Sequence, residues 1–546
     1  MQGLMMDYPL TLPHILERSA KLFRRREIAS KMPDEIHRYT YADFHGRVHA
    51  LARGLERLGI QRGDRVGTLC WNSFRHLELF FGVTCYGAVL HTLNLRLAPD
   101  QLAYIIHHAQ DQVIFVDASL VSILESIRDQ IPCVKHFVVL PDCPVTTALQ
   151  PAGDYEELVK SSAGQPYRWP RLDENEAAAS CYTSGTTGNP KGVLYSHRSL
   201  FLHSYALAMV DGFGICEADT VLQLCPMFHA NGWGIPFTAL MTGARIVFSG
   251  RNLQPEEVAA LIQNERVTFT AGVPTIWLRL YGYLEDHPHD LSSLRCVVAA
   301  GSAMPRRFIE LYEKKYGVRF RLAWGMTETT PIATVTALKS SLKDSPDGAR
   351  FDRLARHGLP LPGVDIRIVD LQGKELPWDG ATMGELQTRG PWVTSGYYDD
   401  PRSDQACVDG WFRTGDVATI DPEGYLQIMD RTKDLVKSGG EWISSVDLEN
   451  AIMAHPKVME AAVIAVFHPK WEERPLACIA PFEQYRGDIT KKEILDFLCG
   501  RVAKWWLPDD IVFIEAVPKT SVGKFNKRAL REQFKDYVLP EALAGD

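Results

Sequence analysis

The sequence predicts an α/β protein, with helix-covered, mainly parallel sheets in a large N-terminal part. A β-rich subdomain and a small α+β C-terminal domain follow. Three observations carry this. Apolar runs of strand length alternate with amphipathic helical patterns through the first half of the chain. Past residue 380 the texture changes to short strands joined by turns. After the polar passage Asp430-Arg431-Thr432-Lys433-Asp434 a second αβ pattern begins.

Phe44, Val48, Leu51, Leu55 and Leu58 fall on one face of a helix, which Thr40 caps and Gly59 ends. A strand over Arg65 to Cys70 follows, then an apolar helix from about Arg75 to Leu90. Val113–Val116 and His136–Leu140 read as buried strands, and such alternation favours parallel sheets with helices on both faces. Gly384–Thr388, Gly396-Tyr397-Tyr398 and Glu423–Leu426 read as short strands. In the second αβ pattern, Val446–His455 is a helix and Ala461–Val466 a strand. The boundary gives units 1–432 and 433–546, the second of normal domain size. No repeat and no low-complexity tract is visible.

Composition narrows the class. The 546 residues are 46% hydrophobic and 23% charged, so the chain can bury a sizeable core. A net charge of −8 offers no basic footprint for nucleic acid or lipid. The 11 cysteines are scattered without a C-x-x-C pair, which points to reduced thiols rather than a disulfide framework or zinc ribbon. The first residues lack a signal-peptide profile, and no apolar stretch reaches membrane-spanning length. The expected location is cytoplasmic.

One segment carries the chemistry: Tyr182-Thr183-Ser184-Gly185-Thr186-Thr187-Gly188-Asn189-Pro190-Lys191-Gly192. Glycines let backbone N–H groups close around phosphate oxygens, hydroxyls add donors, and Lys191 supplies a point charge. No G-K-[ST] ends it, so it is not a Walker A loop. The plain alternative is a surface linker, disfavoured by the apolar runs on both sides.

The segment resembles the signature of the adenylate-forming (ANL) superfamily, which includes acyl-CoA synthetases, carrier-protein adenylation domains and firefly-type luciferases. Later motifs of that family stand in order: Trp324-Gly325-Met326-Thr327-Glu328, Trp411-Phe412-Arg413-Thr414-Gly415-Asp416, Asp430–Asp434 and Pro518-Lys519-Thr520-Ser521-Val522-Gly523-Lys524. The resemblance implies an ATP-dependent ligase. Its nucleotide would lie on Thr183, Ser184, Gly185, Thr186, Thr187 and Gly188, with Gly301-Ser302-Ala303 and Trp324-Gly325 around adenine. Relatives often carry tyrosine at the position of Trp324 and a second glycine at that of Ser302. Asp416 would hold the ribose with Arg431 assisting. Thr327 would bond phosphate, and Thr187 and Glu328 would hold Mg²⁺, which prefers carboxylate and substrate oxygens. Lys191 and Lys524 would stabilise charge during transfer.

By the same resemblance the C-terminal domain is mobile and turns at Lys433. Rotation would withdraw Lys524 and present Lys437, Gly439, Gly440 and Trp442 to coenzyme A. His229 would close the site near the substrate carboxylate. Trp233, Gly234, Val273, Ala300, Thr330 and Pro331 form the candidate acyl pocket, apolar and without a cation for a second carboxylate. Within the superfamily these segments look most like the medium- and long-chain fatty acyl-CoA synthetases, a group that tends to form homodimers. Alternatives are a CoA ligase for a short thioether or aryl acid such as 3-methylmercaptopropionate, and an adenylation enzyme serving a carrier protein.

Overall fold

The computed structural model describes residues 1, 3–183, 189–370, 372–431, 434–438, 441–520 and 524–540, with only the backbone of Glu441 and Trp442. Among these residues the strands form four sheets, of nine, seven, five and five strands. The seven-stranded sheet runs Ala152–Asp154, His136–Leu140, Asp111–Asp117, Arg65–Leu69, Val89–Thr92, Ala177–Tyr182, Gly192–Ser196 in spatial order. All its pairs are parallel except the last, the hairpin that brackets residues 183–191. The nine-stranded sheet is parallel from Glu27–Lys31 through Arg319–Gly325 and antiparallel at both edges. Helices cover these two sheets, because strands buried on both faces need apolar neighbours on each side.

The helix predicted over Phe44–Leu58 spans Tyr41–Arg57. Thr40 caps it with a reciprocal capping box to Asp43, so two otherwise orphaned donors are satisfied. The apolar helix predicted as far as Leu90 ends earlier, at Tyr86. Gly87 adopts φ 94°, a left-handed cap that stops the helix, and Val89–Thr92 becomes a central strand instead. Composition alone does not separate these two segments, since both are rich in apolar residues.

The β-rich sheet contains Asp365–Val369, Gly384–Arg389, Trp411–Ile420 and Leu426–Arg431. Of the predicted short strands, Gly384–Thr388 is present, whereas Gly396–Tyr398 forms bends with a single bridge from Tyr398 to Gly192. Glu423–Tyr425 is a turn that leads into the Leu426–Arg431 strand. Asp430 and Arg431 end that strand, so the first half of the polar passage is ordered pairing rather than linker. Beyond it, the helix Ser445–Met453 packs on the strands Val458–His468 and Glu472–Pro481, and these bury a separate apolar core around Leu448, Val463 and Ile479. All 11 cysteines are unpaired, and among the described residues no helix is long and apolar enough to cross a membrane.

Candidate active site

The ends of three sheets converge on one cleft. Asp416 and Arg431 face each other on paired strands, with Arg431 Nε 2.8 Å from Asp416 Oδ1. Trp324 Nε1–H donates to the other carboxylate oxygen at 2.8 Å. Asp416 is thus held by two N–H donors inside a strand, not in a turn. Trp324 sits at the end of Arg319–Gly325, where the chain doubles back: a Cβ on Gly325 would lie 1.9 Å from the Pro331 carbonyl oxygen. No other residue fits at that position.

The short turn Thr327–Thr329 places Glu328, buried, beside this group. Tyr397 Oη–H donates to Glu328 Oε1 at 2.8 Å, and the Thr394 N–H donates to the Glu328 carbonyl at 2.8 Å. Tyr195 Oη–H donates to the Thr327 carbonyl at 2.7 Å. Lys191 Nζ stands 4.0 Å from the centre of the Tyr397 ring, a cation–π contact. Burial lowers the Lys191 pKa, and the nearby Glu328 carboxylate opposes that shift. Tyr195 and Tyr397 escaped the sequence reading. Their only signal was aromatic residues beside glycine turns, which ordinary cores also contain.

Lys524 reaches this cleft from the C-terminal part. Its Cε lies 2.9 Å from where a Cβ on Gly301 would stand, and Gly301 has φ +93°. The lysine stem lies against bare backbone. Burial and the neighbouring Arg431 push the Lys524 pKa down to about 8, with Asp416 and Glu328 opposing. The loop that carries it is pinned at both ends: Lys524 N–H donates to Thr520 Oγ1 at 3.1 Å and Thr520 N–H to the Lys524 carbonyl at 2.7 Å. His229 is close enough for Lys524 to add to the effect of burial, and its pKa falls to about 3. A neutral imidazole results.

After His229 the chain makes an unusual turn. Ala230, Asn231, Gly232, Trp233 and Gly234 have φ of 42°, 53°, 62°, 60° and 72°. Left-handed conformations cost free energy for residues with a Cβ and persist only where the surroundings impose them. Here Asn231 Oδ1 accepts from Thr92 Oγ1 at 3.3 Å, and Gln223 Nε2 donates to the Gly232 carbonyl at 3.1 Å. The turn delivers Trp233, 5% exposed, into the same apolar cluster as Ala300, Trp324 and Ile332, with Val273 packed against it. Thr330, at φ 66°, donates its hydroxyl to the Trp392 carbonyl at 2.6 Å, and a cis bond joins it to Pro331.

The structure therefore brings together Lys191, His229, Gly301, Trp324, Gly325, Thr327, Glu328, Asp416, Arg431 and Lys524. Ser302 and Ala303 follow Gly301, half-buried, at the end of the Cys296–Ala300 strand. Thr183 starts the motif segment, its N–H donating to the Lys191 carbonyl at 2.9 Å. Lys437 is not part of the cluster. It is exposed on the strand Val436–Ser438, its N–H on Glu473 Oε2 at 2.8 Å, beside a cavity lined by Phe467 and Glu472. Ser184, Gly185, Thr186, Thr187, Gly188, Lys433, Gly439, Gly440 and the Trp442 side chain lie outside the described residues.

Residues 16–398 match the family described as AMP-binding enzyme, and 447–524 match its C-terminal domain. The chain belongs to the AMP-binding enzyme family. This AMP-binding enzyme is 48% identical over 538 residues to a long-chain-fatty-acid–CoA ligase of Thermus thermophilus, covering 98% of this chain and 97% of that one. It is 43% identical over 539 residues to a 3-methylmercaptopropionyl-CoA ligase of Ruegeria lacuscaerulensis, covering 98% and 99%. Its fold superposes on an anthranilate CoA ligase in complex with anthranoyl-AMP with a TM-score of 0.85 at 26% identity, covering 97% and 98%.

Proposed function

We propose that this AMP-binding enzyme is an ATP-dependent fatty acid–CoA ligase working in two half-reactions. The observation that carries the reading is Lys524, buried against Gly301 among Arg431, Asp416 and Glu328. A lysine so placed serves where negative charge gathers on an attacked phosphate.

In the first half-reaction a carboxylate oxygen of the acid attacks the α-phosphorus of ATP, and the bond to pyrophosphate breaks. Lys524 bridges the attacking carboxylate and the α-phosphate, so two anions approach without full repulsion. The Asp416 oxygens each keep a lone pair beyond the one used by Trp324 or Arg431, enough to accept the two ribose hydroxyls. Neutral His229 flanks the acid and adds no competing cation. Glu328 offers hard carboxylate oxygen, oriented by Tyr397, which fits Mg²⁺. With Thr187 it would hold that ion, whose charge would neutralise the triphosphate.

In the second half-reaction the CoA sulfur attacks the acyl carbonyl and AMP leaves. We assign this step to a rotated arrangement in which residues 433–546 turn at Lys433, Lys524 withdraws, and Lys437 to Trp442 line the thiol's path. The exposed position of Lys437 and the half-buried position of Lys524 in the cleft are those expected before the rotation. A homodimer and a cytoplasmic location complete the proposal.

The deciding experiment is AMP release measured with ATP and CoA across straight-chain acids from three to eighteen carbons, with thioether and aryl acids included. Release with thioester formation, greatest for medium or long chains, is expected. Greatest activity on a short thioether acid would instead follow the Ruegeria relative. Acyl transfer confined to a phosphopantetheinylated carrier protein overturns the reading.

A further inference from the structure

Away from the cleft, a row of polar side chains crosses the seven-stranded sheet. Asp111 stands on Asp111–Asp117, and it reaches over Gly67 on Arg65–Leu69, where a Cβ would lie 3.1 Å from its Oδ2. On the next strand His91 Nδ1 is 2.9 Å from both oxygens of Asp111, and both residues are fully buried. Ser180 follows on the neighbouring strand, directly opposite His91. The row ends unfinished: His91 Nε2 and Ser180 Oγ are both buried, and neither has a hydrogen-bond partner among the described residues. Buried polar atoms without partners are rare enough to require an explanation.

For Ser180 an explanation lies beside it. Ser180 lines a cavity of about 250 Å³ that is otherwise mainly apolar, with Val89, Leu194 and the rings of Tyr182 and Tyr398 in its wall. Leu194 pairs with Ser180 across the hairpin, so both side chains face the same way. Tyr182 is anchored by His108, Oη to Nδ1 at 2.7 Å. We propose that this cavity is a second small-molecule site, for a phenol or compact alcohol whose hydroxyl bonds to Ser180.

The chemistry follows from the donors and acceptors present. Equal distances from His91 Nδ1 to two carboxylate oxygens are those of an N–H shared between them. The hydroxyl of Ser180 either donates or accepts, so a ligand O–H satisfies it. Volume sets the size: an apolar cavity of about 150 Å³ holds benzene, and this one leaves room for one ring and its hydroxyl. Arg62 is paired to Glu176, with Nε 3.0 Å from Oε2, and the Arg65 guanidinium donates to the Gly63 and Ala109 carbonyls.

Calorimetric titration of the whole protein with phenol and with toluene tests the site. Phenol is expected to bind more tightly than toluene, which fits the walls and offers no hydroxyl. Ser180→Ala is expected to weaken phenol by about tenfold and leave toluene unchanged. Leu194→Trp, grown from a position that is 40% exposed, is expected to fill the cavity and abolish both. Failure of phenol to bind means that the cavity holds water only and overturns the proposal. Phenol binding that neither variant changes overturns it equally, since the molecule then sits in the acyl pocket.

Discussion

Tyr397 and Lys524 divide the demands of one reaction between orientation and charge. Tyr397 touches Glu328 through its hydroxyl and Lys191 through its ring face. Tyr397→Phe keeps the ring and loses the donor, so Glu328 is freed to turn while Lys191 stays in place. Pyrophosphate exchange is expected to fall about tenfold, a loss of the size of one hydrogen bond to a charged group. The melting temperature should stay unchanged, and an unchanged exchange rate would remove Tyr397 from the metal-side machinery. Lys524→Ala acts on charge instead. Adenylate formation should drop by about 10²–10³-fold, as when one stabilising donor is lost, while CoA transfer from supplied acyl-adenylate persists. Equal loss of both half-reactions would contradict the assignment of separate arrangements to them.

At the level of elements, strand ends and the turns beyond them carry the site, and this is where the sequence was read unevenly. The Thr40 cap, the strand His136–Leu140 and the apolar runs that flank residues 183–191 were legible, because capping residues and apolar runs act locally. The order of the strands was not, since pairing of Val89–Thr92 with Ala177–Tyr182 joins segments some 90 residues apart. The left-handed run Ala230–Gly234 was equally hidden, because Ala and Trp give no sign of positive φ. Nor did Gly301 announce its purpose. Its missing side chain admits the Lys524 stem, and φ +93° disfavours any replacement. Gly301→Ala is expected to slow adenylation by at least tenfold through displacement of Lys524 and backbone strain. Thioester formation from supplied adenylate should be spared. If both half-reactions survive Gly301→Ala, the close approach of the lysine is not needed.

Over the whole molecule, the net charge of −8 repels ATP, so the domain closure that the proposed reaction requires would depend on a few placed cations. Lys524 makes that closure sensitive to pH in a direction fixed by its environment. Buried in the cleft its pKa is about 8, against 10.5 for a solvated lysine. Below about pH 8 the ammonium is charged with the domain in or out, and the full cost of desolvating it opposes closure. Between about 8 and 10.5 the closed state releases the proton that the open state keeps, so closure without nucleotide becomes more favourable as pH rises. His229, with a pKa of about 3, is neutral throughout and contributes nothing to this slope. Catalysis should move the other way, because the ammonium is the useful form: kcat/KM for pyrophosphate exchange should decline between about pH 8 and 10.5. Small-angle scattering of the nucleotide-free protein from pH 7 to 10.5 should therefore show compaction over the range in which activity falls. ATP places an opposite charge beside Lys524, so saturating nucleotide should give the compact form already at pH 7 and flatten the dependence. Lys524→Met, neutral at every pH, should be compact without nucleotide and insensitive to pH. Compaction with the same pH slope in Lys524→Met would place the titrating group elsewhere.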